Sequence, residues 1–263
     1  MMSPRPRIAR HHVDDLSLRG YGVGAYADVL AAAVQPADLR RVDLADNRMS
    51  AEESARIVRA LPPEVTRLDV SGNRGATLMG CKARLERLTA ANVGLTPTRC
   101  YQAIESALRL PMVHTLQSLN LSNNQIGEFG CVSLAFLLRA DVAPRLGHLF
   151  LASNAITGSA AAHILRPLIR ENTRLVTLDL SFNSSFRGPE GTTLLGKVFR
   201  SNTSLRHLAL TSNNATHDTV DTLGPALAQN KTIVGLHADD AFLTVDARGF
   251  LQRWTSPSRC RAW

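Results

Sequence analysis

Residues 116–157 read LQSLNLSNNQIGEFGCVSLAFLLRADVAPRLGHLFLASNAIT, and they state one design twice. Leu116, Leu119, Leu121, Asn124 and Ile126 fall at offsets 0, 3, 5, 8 and 10, and Leu146, Leu149, Leu151, Asn154 and Ile156 repeat them 30 residues on. The Leu-x-Leu step predicts a short strand whose leucines share one side, because strand side chains alternate between faces. The chain must then turn sharply, and the Asn side chain is suited to hydrogen-bond the main-chain groups that such a turn buries. Helical spacing follows: Cys131, Leu134, Leu137 and Leu138 in one copy, Ile164, Leu165, Leu168 and Ile169 in the next. A unit is therefore strand, turn and helix, and it can bury its apolar face only against a neighbouring unit.

The same offsets extend in both directions to give nine units. Tyr21, Asn47, Asn73, Val93, Asn124, Asn154, Asn183, Asn213 and Ala241 occupy the Asn position, at steps of 26, 26, 20, 31, 30, 29, 30 and 28 residues. The step of 20 is too short for a strand plus a helix, so residues 75–84 are expected to form a tight or irregular turn. Tyr21 and Ala241 depart from Asn in the first and last units, where atypical capping repeats belong. Val93 departs internally, with Asn92 one place early: either that turn is distorted or the register slips by one.

These residues resemble the leucine-rich repeat family, in particular its long-repeat, ribonuclease-inhibitor-like subclass, and the resemblance covers nearly the whole chain. It implies an α/β solenoid, a curved horseshoe arc with a parallel β-sheet on the concave face and α-helices on the convex face. It also implies a binding module without chemistry of its own. Residues 13–252 are expected to form this single domain, because a solenoid grows by stacking rather than by enlarging one core. Residues 1–12 and 253–263 are expected to be basic tails.

Net charge +8 suggests nucleic acid until it is located. Arg5, Arg7 and Arg10 lie in the first tail and Arg253, Arg259 and Arg261 in the second, with no acid in either; removing those six leaves 24 basic against 22 acidic residues in the body. A near-neutral body makes a poor phosphate-tracking surface, so nucleic acid is expected only through the tails, where salt-sensitive attraction to RNA, acidic lipid or acidic protein segments is available. No apolar run approaches the roughly 18 to 20 residues of a membrane helix. The opening MMSPRPRIARHH has no apolar segment behind it and reads as a solvated tail rather than a secretory signal. Cys81, Cys100, Cys131 and Cys260 have neither metal nor disulfide spacing and read as buried fillers or free thiols of a reducing, intracellular and cytoplasmic compartment.

Two phosphate-binding motifs are near misses. Gly20-x-Gly22-x-x-Ala25 fits a dinucleotide fingerprint, with Asp43 downstream, but the same residues satisfy the repeat offsets. In the run from Gly75 to Lys82, Cys81 and Ala83 stand where a phosphate loop needs glycine and a hydroxyl. Helices are expected at 158–170, 189–200 and 218–229, and another from Thr96-Pro97 as cap and first residue. Asn172, Asn202 and Asn230 sit at helix ends, as residues tolerant of the left-handed conformation.

Function is expected on the strand positions that point away from the core. The third positions of the signature are Asp15, Arg41, Arg67, Arg87, Ser118, His148, Thr177, His207 and Gly235; the fifth are Ser17, Asp43, Asp69, Thr89, Asn120, Phe150, Asp179, Ala209 and His237. Arg41, Arg67 and Arg87 are expected to pair with Asp43 and Asp69 across strands roughly 5 Å apart. Asn120, His148, Phe150, Asp179, His207 and His237 complete the candidate partner-binding set, with Phe150 an exposed aromatic of the kind that anchors interfaces. Phe182 either joins that hot spot or turns inward, as turn aromatics of this family often do. His148 and His207 lie two strands apart, roughly 10 Å, too far to share a metal, and no nucleophile accompanies them. No cofactor, metal or catalytic role is expected. The reading is a non-enzymatic scaffold, monomeric outside its complex, binding a protein on its concave face. The alternatives are a structural subunit of a large intracellular assembly (cytoskeletal, ciliary or ribonucleoprotein) or, less favoured, a small-GTPase regulator.

Overall fold

The computed structural model describes residues 14–35, 38–170, 174–238, 243–245 and 251–253. Nine three-residue strands stand at the expected steps, each centred on Leu except β2, which is centred on Val42: β1 (Asp15–Ser17), β2 (Arg41–Asp43), β3 (Arg67–Asp69), β4 (Arg87–Thr89), β5 (Ser118–Asn120), β6 (His148–Phe150), β7 (Thr177–Asp179), β8 (His207–Ala209) and β9 (Gly235–His237). They form one parallel sheet in chain order, and the register joins like positions throughout, Leu68 to Leu88 to Leu119 to Leu149 to Leu178 to Leu208. These leucines are buried, as are the leucines two places later, Leu121, Leu151, Leu180 and Leu210, so the interior is a continuous apolar column.

Helices α1 (Ala27–Val34), α2 (Ala51–Ala60), α3 (Pro97–Ala107), α4 (Gly127–Leu137), α5 (Gly158–Arg170), α6 (Pro189–Ser201) and α7 (His217–Ala228) cover the opposite face. Parallel strands stack at about 4.8 Å and helices at about 8–10 Å, so the helical layer takes the outside of the curve. The chain is in fold a leucine-rich repeat solenoid of about nine repeats. Between β3 and β4 the chain makes turns without a helix, as the short step requires. After β9 the parallel pattern stops: β10 (Leu243–Val245) and β11 (Leu251–Arg253) pair antiparallel, and β11 packs on α7. Arg253, assigned from composition to the tail, ends β11. The tails' other residues, Val13, Asn172, Ala241 and Cys260 lie outside the described residues.

The turn asparagines bind the units together. Asn183 Nδ2 donates to Leu180 O and Ser181 O in its own unit and to Leu151 O in the preceding one, while its Oδ1 accepts from Asn154 N at 2.9 Å and Ile156 N at 3.0 Å. Asn73 and Asn124 each make the same five bonds. At the fourth unit Val93 is buried in the Asn place, and the Gly75 amide donates instead to Val93 O at 2.8 Å. The register is unbroken there, so Val93 is a genuine substitution and Asn92 is a turn residue. The residue before the ladder position has positive φ in eight successive units, at Gly20, Asp46, Gly72, Asn92, Asn123, Ser153, Phe182 and Ser212.

Asn202 and Asn230 correct the expectation of left-handed helix ends. Asn202 is extended, with φ −76° and ψ 134°, and neither residue has positive φ. Their Nδ2 groups donate to carbonyls of the preceding helix, Leu168 O and Phe199 O, both at 2.7 Å, and their Oδ1 atoms accept from Leu205 N and Ile233 N. A second asparagine link thus crosses between units at the far end of the helices. Thr96 caps α3 as expected, accepting from Arg99 N.

Asn183→Ala would leave two buried amides without acceptors and is expected to lower stability by about 2–4 kcal/mol. Asn154 Oδ1 is buried without a donor, so Asn154→Ala is expected to cost distinctly less. Urea denaturation of the two variants checks the order; equal losses would mean that the bonds to Asn183 Oδ1 contribute little.

Candidate functional site

The strand register aligns the third positions in one row and the fifth in another. Arg41, Arg67 and Arg87 are therefore direct cross-strand neighbours of one another, and Asp43 faces Asp69. The expected pairing of these arginines with these aspartates does not form. Arg19, from the turn after β1, takes the acids instead, reaching Asp43 at 3.1 Å, Asp46 at 3.0 Å and Asp69 at 2.8 Å. Arg41 reaches Asp15 at 3.1 Å. Arg67 and Arg87 have no carboxylate partner among the described residues. Like charges directly opposite each other repel, so this row is held in place by the sheet rather than by self-pairing.

The fifth row is partly committed to the fold. Asp43, Asp69, Asn120 and Asp179 each accept, through Oδ1, a hydrogen bond from the amide two residues on: Ala45, Ser71, Ser122 and Ser181. These Asx turns close the strands, which gives the four residues a structural reason to be polar. Sequence offsets could not separate that role from binding.

The second half of the face is less polar. Phe150 lies between Asn120 and Asp179 and is half-buried rather than openly exposed. His148 Nδ1 sits 3.0 Å from Thr177 Oγ1, and burial pushes its pKa below the ordinary 6.5, with Arg87 and His207 adding repulsion. Arg145 and Gln117 line a hollow beside His148; both stand one or more places outside the strand offsets and so escape a search along them. His207 and His237 are exposed at the far end. Among the described residues no group of three or more His, Cys, Asp or Glu is placed to hold a metal ion.

Phe182 points outward, with 60% of its surface exposed, and adopts φ 55°. A bulky residue in the left-handed region is an outlier, costing about 1–2 kcal/mol against a residue that suits it. The seven other units place Gly, Asp, Asn or Ser there. The convex side carries a second exposed aromatic group, Tyr101 of α3 against Phe129 of α4, with ring centroids 5.4 Å apart, and Phe136 two turns along α4. Its sequence signal is that α4 is apolar nearly all round while only one side can be inward.

The near-miss nucleotide motif is also accounted for. The amides of Gly20 and Val23 donate to Ala45 O and Asn47 Oδ1, so this turn spends its main-chain donors on the next unit. Cys81, Cys100 and Cys131 are free and buried, and burial raises the pKa of each, that of Cys100 to about 12.

Phe182→Asn places a residue tolerant of positive φ at a solvent-exposed position and is expected to raise Tm by about 2–4 °C; a lower Tm would show that the ring packs usefully where it stands. His148 has a folded pKa below its unfolded one, so the unfolded chain binds its proton more readily. Its stability contribution is complete above pH 6.5 and declines as pH falls between 6.5 and the folded value. His148→Asn is expected to flatten that part of the stability profile, and an unchanged profile measured by urea melts would place the titration elsewhere.

The leucine-rich repeat family model matches residues 114–135. No curated protein matches the chain. Among solved structures, the leucine-rich repeat-containing protein LegL7 from Legionella pneumophila is 19% identical, with TM-score 0.41 over 90% of this chain and 84% of its own. The actin-binding site 2 of leiomodin-1 is 19% identical, with TM-score 0.45 over 68% and 88%. An internalin from Listeria monocytogenes is 18% identical, with TM-score 0.42 over 81% and 63%. The family match falls on the copy of the repeat in which Leu116, Leu119, Leu121 and Asn124 stand at the full spacing, and the nine-strand sheet extends that copy's design along the chain.

Proposed function

We propose that the chain is a non-enzymatic scaffold that binds an acidic segment of a partner protein along its concave sheet. The observation that carries this reading is the row Arg41–Arg67–Arg87, in which three cations stand opposite one another and the last two have no acid partner among the described residues. Such a row repels itself, and an acidic partner relieves that repulsion while speeding encounter. His148 and His207 continue the row, and Phe150 and Phe182 supply apolar contact at its far half. Asp179, Asn120, Asp43 and Asp69 contribute to that surface chiefly by shaping it, and His237 marks its end. Seven of the eight steps between units, at 26 to 31 residues, support the ribonuclease-inhibitor-like, long-repeat subclass. Three free buried thiols support a reducing, intracellular setting. The exposed Tyr101–Phe129 pair on the convex side favours a second reading, a subunit of a larger assembly that uses both faces.

Partners captured by the purified chain from its native cells are expected to be lost with Arg67→Glu/Arg87→Glu. The affinity of the principal partner should fall at least tenfold, with a shallower salt dependence. Retention of that partner by the double variant, with loss on Tyr101→Ala/Phe129→Ala, would move the binding surface to the convex side.

A further inference from the structure

The short third unit has a consequence on the convex side. Wherever consecutive units both carry helices, those helices pack side by side; α2 and α3 do not, because the turn-only segment stands between them. Into that gap opens a cavity of about 500 Å³. Its floor is the core side of the sheet, Leu88, Ala90 and Leu119, and its inner wall is Ile104, Met112 and Leu116. Of these, every one is otherwise a buried core residue, so the cavity reaches the solenoid interior rather than resting on its surface. The volume falls within the roughly 300–1,000 Å³ of small-molecule sites, which are apolar in the main with a few placed polar groups.

The polar groups stand at the mouth, where Arg59 of α2 and Arg99 of α3 have no acid partner among the described residues. Arg56 is engaged by Asp28 and Glu52. Among the described residues, the hydrogen bonds of the Arg59 and Arg99 side chains go to main chain, at Met79 O and Gly94 O, both at 3.3 Å. The segment bordering the mouth is held in place: Thr77 N donates to the buried Ser54 Oγ of α2 at 3.2 Å. Gly75 and Gly80 bracket it at φ 94° and 80°, a backbone that suits glycine, and the Arg99 guanidinium lies close beside Gly75, 3.2 Å from where a Cβ would stand.

From the apolar depth and cationic rim we infer a binding site for a single-chain anionic amphiphile, an acyl chain entering between α2 and α3 with its carboxylate or phosphate held by Arg59 and Arg99. The site is independent of the concave face, which lies across the sheet. Charge complementarity favours this occupant over a neutral apolar molecule, because a neutral molecule would leave both guanidinium groups at the mouth unpaired.

The test is calorimetric titration of the full chain with a series of fatty acid salts from hexanoate to dodecanoate, alongside dodecanol and dodecyl phosphate. One-to-one binding is expected, tightening roughly fourfold per added methylene until the cavity is filled, with dodecyl phosphate binding as well as dodecanoate and dodecanol at least tenfold more weakly. Ala103→Trp and Ala107→Trp, on the α3 side of the mouth, should each abolish binding. Arg59→Gln/Arg99→Gln, which alters only rim side chains and is expected to fold normally, should bring dodecanoate down to the level of dodecanol. Absence of binding, no dependence on chain length, or equal affinity for dodecanoate and dodecanol in the unaltered chain would overturn the inference. So would dodecanoate binding unaffected by the arginine pair.

Discussion

Six of the nine units of this solenoid carry at the turn a side-chain amide that does the work of main chain. A turn that leaves a three-residue strand and heads for a helix exposes carbonyls and amides to an apolar interior, where an unpaired group costs about 1–3 kcal/mol. Asn73, Asn124 and Asn183 each answer five such groups, and some of those belong to the preceding unit. The bond pattern therefore sets the stacking distance and register as well as closing the turn. Leucine burial supplies the driving force, but leucines alone would tolerate a slip along the strand; the asparagines fix the position. Asn202 and Asn230 repeat the device at the helix ends, so adjacent units are tied at both ends of the helical layer.

That constraint decides where variation is permitted. With the inward positions committed to packing and the turn positions to the ladder, the free residues are the outward strand positions and the outer helical surface. On the sheet they form rows of like residues, because register brings third positions together. Arg19 collects the carboxylates of Asp43, Asp46 and Asp69, which separates the negative charge from the arginine row. On the helical side the third unit, which has no helix, opens the layer between α2 and α3 while the sheet beneath stays continuous. A solenoid can accommodate this because each unit touches only its neighbours, so an omission is felt locally.

The strands, their order and the missing helix were legible in the sequence because the offsets of Leu and Asn translate directly into which side a residue faces. What they do not encode is how outward side chains meet. The expected Arg–Asp pairs failed because parallel in-register strands put Arg41 beside Arg67 and Asp43 beside Asp69, while the residue that reaches the acids, Arg19, stands outside the signature. The offsets present Asp43, Asp69, Asn120 and Asp179 as outward partner-binding positions, yet each accepts a bond from the amide two residues on, a geometry that spacing alone does not carry. Phe182 had two readings in the sequence, and the left-handed backbone forced by the ladder turned it outward. The spacing of Asn202 and Asn230 marks helix ends, but it is their side chains, not their backbone angles, that do the closing. The cavity between α2 and α3 follows from a visible deletion but needs three-dimensional packing to acquire a volume.

Hydrogen exchange of individual amides, followed by NMR in the native state, tests the ladder most directly. Met49, Leu95, Ile156 and Ser185 have no strand or helix partner and donate to an asparagine Oδ1 of the following unit. The account predicts that these four exchange as slowly as the amides of Leu44, Leu121, Leu151 and Leu180, which lie on the sheet ladder. Exchange at the four within the range of exposed turns, with those leucine amides still protected, would contradict it.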